Sequence, residues 1–356
     1  MKPRPPPRDS SQSARCSRYA AFARTAQRNP RTELLDSLTQ AVLGAAVGHV
    51  VAGRDLGPRA ALVGATCGVL PDLDVLVHYA DPVSAMTLHR SWSHSWFWLT
   101  LATPVMWLLL RLLPGFRGGG WPLFLAIWLA FVTHPLLDSM TIYGTQALHP
   151  FSDYPISVGS VFIIDPMYTV PLVAALVIAI RRPTRRRRVL SVALAFSTSY
   201  LVLTAGLQAR LEHGAVASAP PGTSMVKATP TPFNAVRWRL LSLSDDTHCD
   251  QFVYAWQEPQ PGQWRCYAQQ REFDTELGNH APYQRMRWFT HGWYALRREG
   301  DALVLSDLRM GVEGYYIFTF VLGTVDQDGA RPVAARQLAP ARPELRDFAQ
   351  AYRHAR

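Results

Sequence analysis

Four short groups of Asp and His residues have the types and spacing of metal ligands. They are Pro71-Asp72-Leu73-Asp74, His89-Arg90-Ser91-Trp92-Ser93-His94-Ser95, His134-Pro135-Leu136-Leu137-Asp138 and His149-Pro150-Phe151-Ser152. His134 and Asp138 are four residues apart, so a helix would direct both side chains to the same side. Carboxylate and imidazole ligands suit zinc, manganese or another divalent ion, which makes a bound water nucleophilic near neutral pH. The four groups therefore predict a metal site.

Each candidate residue is assigned a role from its chemistry. We expect the metal ligands to be Asp72, Asp74, His89, His94, His134 and Asp138. Arg90 is a candidate for stabilising negative charge or binding phosphate, and His149 for proton transfer. Asp36 and Gln40 share a helix face and are expected to support the ligands. Each type also has a purely structural interpretation: an Asp at a helix end can cap the helix, and a single His can be a hydrogen-bonded core residue. Ionisable residues at membrane depth are energetically costly, however, and this favours a functional role for them.

Long apolar stretches must position these residues. Charged residues are rare from Asp36 to Gln208, and six apolar intervals lie there at about 38–53, 58–76, 94–113, 121–139, 161–180 and 189–208. The later four approach the roughly 20 residues that a helix needs to span a bilayer, whereas the first two are short. The pattern predicts an α-helical membrane bundle of about five to six apolar helices over residues 36–208.

Arginines predict the orientation of this bundle. They occur in alternate connections between the apolar intervals, most densely at 181–188, and residues 140–160 contain no Lys or Arg. Because positively charged loops stay in the cytoplasm, the Asp and His groups and the C-terminal region are expected on the other side, in the periplasm or outside the cell. Topology accounts for the formal charge of +10, so no nucleic-acid partner is expected.

The two ends of the chain differ from the apolar region. Residues 1–35 are rich in Arg, Pro and Ser without the apolar core of a signal peptide, which indicates a disordered or non-native N-terminal extension. In residues 209–356, β-branched and aromatic stretches are separated by Pro, Gly and Asp clusters, which predicts a soluble, β-rich, extracytoplasmic domain. Cys249 and Cys266 flank a predicted strand and turn, so a disulfide is expected in an oxidising compartment.

The combined motifs resemble those of the bacterial membrane-bound metal-dependent hydrolases, a largely uncharacterised inner-membrane family. The resemblance rests on the four Asp and His groups, on Asp36-Ser37-Leu38-Thr39-Gln40 before them, and on Asp307-Leu308-Arg309-Met310-Gly311 in the β-rich region. It implies a helical membrane core that holds a divalent metal ion. The chain departs from the family at Ser91, where Gly is usual, and at His49, where an acidic residue is frequent.

Two functions follow as expectations. The leading one is hydrolysis of an ester or phosphoester, in a lipid or another envelope-associated small molecule, by a protein embedded in the membrane lipid bilayer. The alternative is a non-catalytic metal-binding membrane protein or a transporter that uses the same residues. Inverted internal repeats would favour the transporter, and the sequence shows none.

Overall fold

The computed structural model describes residues 30–327 and 329–339. The predicted extension, residues 1–35, lies outside them apart from the helical backbone of residues 30–35. The described N-terminal region is helical, and two antiparallel sheets follow it. This order of a helical and a β-rich region is the one predicted.

Helices account for most of the chain before Met225. The α-helices described there are α1 (Pro30–Leu56), α2 (Pro58–Val69), α3 (Pro82–Leu88), α4 (Trp96–Leu112), α5 (Trp121–Ser139), α6 (Pro166–Arg181) and α7 (Arg186–Ser218). Short 3-10 helices lie between some of them, at Leu70–Leu76, Trp92–His94 and Pro183–Arg185.

Fewer helices can cross a membrane than the five to six predicted. In the described part of the chain, Trp121–Ser139 and Pro183–Ser218 are long and apolar enough. The count rises to three if Pro82–His94 and Trp96–Leu112, which meet at a bend of 52°, form one span. The prediction counted apolar intervals without knowing where helices end. Helix α2 has 12 residues, about 18 Å at 1.5 Å per residue, whereas the hydrocarbon core is roughly 30 Å thick.

Helices α1 and α2 pack backbone to backbone through glycines. A Cβ atom added to Gly64 would lie 2.0 Å from the Gly44 carbonyl oxygen, and one added to Gly68 would lie 2.5 Å from the Gln40 carbonyl oxygen. Real Cβ atoms do not come this close, so the packing requires glycine. Small residues at helix interfaces are the usual means by which membrane helices approach closely. Here they place Gln40 beside Gly68, and both residues contribute to the site below.

The first sheet packs on the C-terminal part of α7. Its strands are β1 (Met225–Pro230), β2 (Arg237–Leu243), β3 (Thr247–Tyr254) and β4 (Arg265–Ala268), hydrogen-bonded in that order and antiparallel. Leu211 and Ala215 of α7 share a buried apolar cluster with Trp238 of β2. The Gln208 side-chain amide also donates to the carbonyl oxygen of Ala228, over 2.8 Å. Helix α7 thus carries this sheet directly.

The predicted disulfide between Cys249 and Cys266 is confirmed. The two residues are directly opposite each other on β3 and β4, with their Cα atoms 4.0 Å apart and their sulfur atoms bonded. Cys67 is a free, buried cysteine of α2.

The described residues form two compact units. One contains residues 30–80 and 84–268, with the helices and the first sheet, and the other contains residues 81–83 and 269–339. The second unit has helix α8 (Ala281–Phe289) and the antiparallel strands β5 (Tyr294–Glu299), β6 (Ala302–Asp307), β7 (Thr319–Asp326) and β8 (Gly329–Gln337).

A buried ion pair explains part of the Asp307 to Gly311 motif. Arg309 Nη2 lies 2.7 Å from Asp307 Oδ2, and both side chains are fully buried. Gly311 has a φ of 122°, and a Cβ atom there would lie 2.4 Å from the Tyr315 carbonyl oxygen. These features stabilise the turn after β6, which is a structural role.

Candidate metal centre

Asp72, His94, His134 and Asp138 meet where α5 ends and α4 begins. One ligand-type atom from each residue lies within 4.8 Å of those of the other three. The Nε2 atoms of the two histidines are 3.0 Å apart. Asp138 Oδ2 lies 3.2 Å from Nε2 of His94 and 3.4 Å from Nε2 of His134. Asp72 Oδ1 lies 3.4 Å from each Nε2 atom. Ligands at about 2.0–2.2 Å from a tetrahedral ion are roughly 3.3–3.6 Å apart, so this group can hold a metal ion.

Local structure explains how each of the four residues reaches the group. His134 and Asp138 lie four residues apart on α5 and so project from one face. Asp72 lies on the 3-10 helix Leu70–Leu76, directly after α2. His94 ends the 3-10 helix Trp92–His94, and Ser95 then caps α4 by accepting a hydrogen bond from the Trp98 amide.

Hydrogen bonds at Nδ1 point the Nε2 lone pairs of both histidines into the group. His134 Nδ1 lies 2.6 Å from the Gly68 carbonyl oxygen, which can only accept, so Nδ1 donates. Ser93 Oγ gives its hydrogen to Asp74 Oδ2 over 2.7 Å, so it accepts from His94 Nδ1 over 2.9 Å. A neutral histidine that donates from Nδ1 has an unprotonated Nε2. In their neutral Nδ1-protonated forms both rings would bind a metal ion through Nε2. Without an ion, the 3.0 Å contact between the two Nε2 atoms requires a proton on one of them.

Each oxygen of the Asp138 carboxylate has a neighbouring side chain. Gln40 Nε2 donates to Oδ1 over 2.8 Å, as expected for a residue that supports the ligands. Arg90 Nε lies 3.3 Å from Oδ2, the oxygen that faces the histidines. Asp138 Oδ2 and Asp72 Oδ2 are buried and accept no hydrogen bond from the described residues. The side chain of Asp36, the other predicted supporting residue, lies outside the described part of the chain.

Asp74 and His89 lie beside the group rather than within it. His89 Nδ1 is 2.8 Å from Asp74 Oδ1, and Asp74 Oδ2 accepts from the Arg90 amide and from Ser93 Oγ. In a 3-10 helix of about three residues per turn, side chains two positions apart differ by about 120°, so Asp72 and Asp74 face different neighbours. Burial raises the pKa of Asp74, but the hydrogen bond and charge of His89 outweigh it and lower that pKa to about 2.

Arg90 is buried and has a left-handed backbone conformation, with φ 62°. Besides its contact with Asp138, its Nη1 donates to Thr141 Oγ1 over 3.3 Å, and its guanidinium lies over the Tyr143 ring. The structure thus places the Arg90 side chain against the Asp138 carboxylate. A catalytic role of Arg90 stays a prediction.

His149 is the other residue with a predicted catalytic role. Its Nδ1 accepts from Trp98 Nε1 over 3.3 Å, at the start of α4. It is not one of the four residues in the metal-type group. Proton transfer by His149 stays a prediction.

The charges of these side chains favour a bound cation. Asp72, Asp74 and Asp138 contribute three negative charges and Arg90 one positive charge, which leaves a formal charge of −2 when the histidines are neutral. The side chains of His94 and His134 are fully buried, that of Asp138 is 1% exposed, and that of Asp72 is 12% exposed. Buried charge is costly unless it is compensated. A divalent cation would balance it, as would protons on two histidines.

The fold and the site together define a helical membrane protein with a buried Asp, His, His, Asp group that can hold a metal ion. Residues 35–210, which include all four residues, match the family described as YdjM inner membrane protein. The chain is also 28% identical over 159 residues to the uncharacterized protein YfhP of Bacillus subtilis (strain 168). That similarity covers 40% of this chain and 46% of YfhP, so the chain spans less than half the length of this relative. No solved structure matches the chain.

These similarities and the apolar helices support a membrane location and an inner-membrane family. They carry no enzymatic activity with them, because neither description states one.

Proposed function

We propose that this chain is a membrane-bound, metal-dependent hydrolase of an ester or phosphoester, carried by a lipid or another envelope-associated molecule. The observation that supports it is the convergence of Asp72, His94, His134 and Asp138, with one ligand-type atom of each within 4.8 Å of the others. A divalent ion held there, zinc or manganese, would supply a Lewis acid that activates water for attack.

The chain's own residues position the site and control access to it. Gly68 and Ser93 orient the two histidines, while Gln40 and Arg90 orient Asp138. Of the four ligand-type side chains, Asp72 is the most exposed, so we propose that water and substrate reach the site from the Asp72 side.

A non-catalytic metal-binding protein or a transporter is the second candidate. The observation that favours it is the number of protein ligands. Four side chains complete a tetrahedral shell, whereas catalytic zinc sites usually have three protein ligands and one water. Under this alternative, Asp72 binds the metal permanently. Under the hydrolase proposal, the group would have to leave a bound ion accessible to water on the Asp72 side.

Hydrolysis by the metal-loaded protein distinguishes the two candidates. Wild-type protein in lipid nanodiscs, loaded with zinc or manganese, would be assayed with nitrophenyl acyl esters, bis-nitrophenyl phosphate and phospholipid vesicles. We expect turnover of at least one of these compounds by the wild type and its loss in His134→Ala. The matched control is His213→Ala, a change of an exposed histidine on α7, which should retain wild-type rates. Full metal occupancy without turnover of any of them would favour the second candidate.

We further propose that the first sheet lies outside the cytoplasm. The disulfide between Cys249 and Cys266 supports this placement, because disulfides persist in the periplasm and outside the cell and are rare in the cytosol. The run of arginines at 181–188, before the long α7, agrees with it.

Thiol counting tests this placement. The chain has four cysteines, so a Cys16→Ser variant retains Cys67 and the Cys249 and Cys266 pair. Cells lysed directly into denaturant that contains an excess of a thiol-reactive mass tag should yield protein with one tagged thiol, and with three when reductant is added before the tag. Three reactive thiols before reduction would mean that the pair is reduced in the cell, which would contradict an oxidising environment for this sheet.

A further inference from the structure

Exposed apolar side chains cluster beside the start of α4. Phe97, Trp98, Leu148 and Phe151, which we call the aromatic surface, are all exposed, and Phe151 is 79% exposed. The Phe97 ring contacts the Trp98 ring at 5.0 Å and the Phe151 ring at 5.1 Å between centroids. Contiguous exposed apolar surface usually marks contact with another molecule or a membrane.

The segment 147–151 is attached to α4 by several hydrogen bonds. The Trp96 amide donates to the Ala147 carbonyl oxygen over 3.0 Å, and Ser95 Oγ donates to the His149 carbonyl oxygen. Trp98 Nε1 donates to His149 Nδ1 over 3.3 Å. The segment is therefore hydrogen-bonded to the start of α4 at three points.

The aromatic surface continues the outward face of α4. Along this helix, Leu101, Val105, Leu108 and Leu112 are exposed at intervals of three or four residues, in line with Phe97. Because α4 belongs to the bent pair that is apolar enough for one span, this face is the one available to lipid. Aromatic side chains are enriched where membrane helices meet the headgroup region, since they have apolar rings and, in Trp, a polar edge.

The same segment is also connected to the metal-type group. The main-chain N–H of Gln146 donates to the Arg90 carbonyl oxygen over 2.9 Å, and the Arg90 side chain contacts Asp138. His94 precedes Phe97 by three residues, which is at most about 11 Å of extended chain. The interfacial layer on each side of a bilayer is roughly 5–8 Å thick. The depth of the aromatic surface therefore fixes the depth of the metal-type group to within about 11 Å, or at most about two such layers.

We infer that the aromatic surface lies in the headgroup region of the bilayer and holds the metal-type group at or next to that depth. The occupant of this surface is membrane lipid. Resting on the proposed function, the inference also names the substrate class, which is an ester or phosphoester in the headgroup region of a lipid. A substrate that remains in bulk water would not need a site at this depth.

Depth-dependent quenching tests the inference. A fluorescent maleimide would be attached to Phe151→Cys, in a background in which Cys16 and Cys67 are replaced by Ser and Ala, and the protein placed in phospholipid vesicles. The controls carry the probe at Val105→Cys, within α4, and at Asp245→Cys, in the exposed turn between β2 and β3. Spin-labelled lipids quench at shallow or deep positions, and iodide quenches from water.

We expect the probe at position 151 to be quenched more by the shallow lipid than by the deep one, and the probe at 105 to show the reverse. The probe at 245 should respond to iodide alone. A probe at 151 that behaves like the one at 245 would overturn the inference, and Leu148→Cys provides a second reporter if Phe151→Cys fails to fold. The measurement requires no metal or turnover. If the probe at 151 is shallow but the metal-loaded protein is inactive, the inferred position of the aromatic surface stands and the proposed hydrolase function is wrong.

Discussion

Replacing Asp138 by leucine is expected to destabilise the protein by about 3–5 kcal/mol and to abolish metal binding. Asp138 lies 3.3 Å from Arg90 Nε, and both side chains are nearly inaccessible to solvent. Removal of the carboxylate would take away the ion-pair contact that Asp138 makes with this buried guanidinium. Thermal unfolding in detergent micelles, followed by circular dichroism, measures the loss.

A second substitution separates the ion pair from the metal site. Arg90→Met with Asp138→Leu removes both charges of this pair, so we expect most of the stability lost in Asp138→Leu to return. Metal binding should stay lost, because Asp138 supplies a ligand-type oxygen. If Asp138→Leu alone unfolds at the wild-type temperature, the buried pair contributes little and the arrangement described here is wrong.

The second large effect is expected at Gly64, where alanine should destabilise the protein by roughly 3 kcal/mol. Its Cβ atom would lie 2.0 Å from the Gly44 carbonyl oxygen, so α1 and α2 would have to separate. The separation would also move Gln40 and Gly68, which orient Asp138 and His134. We therefore expect a lower unfolding temperature together with weaker metal binding, measured by competition with a chromophoric chelator.

Gly206→Ala is the matched control for Gly64→Ala. Gly206 lies on α7, is exposed, and has no atom within 4 Å of an added Cβ. Alanine there should leave stability unchanged or raise it by up to about 1 kcal/mol, because alanine favours helix. Equal effects of the two substitutions would contradict close packing of α1 and α2.

Local spacing was the part of the site that the sequence predicted best. The interval of four residues between His134 and Asp138 places both on one helix face, whatever surrounds them. The position of Asp72 and His94 next to His134 and Asp138 depends on how α2, α4 and α5 pack, and the spacing of residues alone does not predict this packing. Grouping them with His134 and Asp138 rested on the shared chemistry of the residues and the predicted orientation of the helices.

Residues that orient the ligands were harder to predict from the sequence. Asp74 and His89 have the same side chains as the four residues of the group, but the 3-10 geometry of Leu70–Leu76 directs Asp74 to His89 instead. The Gly68 carbonyl oxygen carries no side-chain signal. The glycines four residues apart on α2, Gly64 and Gly68, were the available clue to close helix packing at this point.

The number of spans was predicted too high for a related reason. Hydropathy over a window detects apolar composition but not the points where helices end. The interval 58–76 is divided between the short α2 and the 3-10 helix Leu70–Leu76, so its length in residues overstates its length in ångströms. The disulfide was easier to predict from the sequence, because Cys249 and Cys266 flank one turn between neighbouring antiparallel strands.

The metal content of the purified protein tests the central claim most directly. Wild-type protein, His134→Ala and His213→Ala would be purified without chelators and measured by inductively coupled plasma mass spectrometry. We expect about one divalent ion per chain in the wild type and in His213→Ala, and less than about a tenth of that in His134→Ala. Equal metal content in all three proteins, or none in the wild type even after incubation with zinc or manganese, would show that the buried Asp and His residues form a charge network and no metal centre.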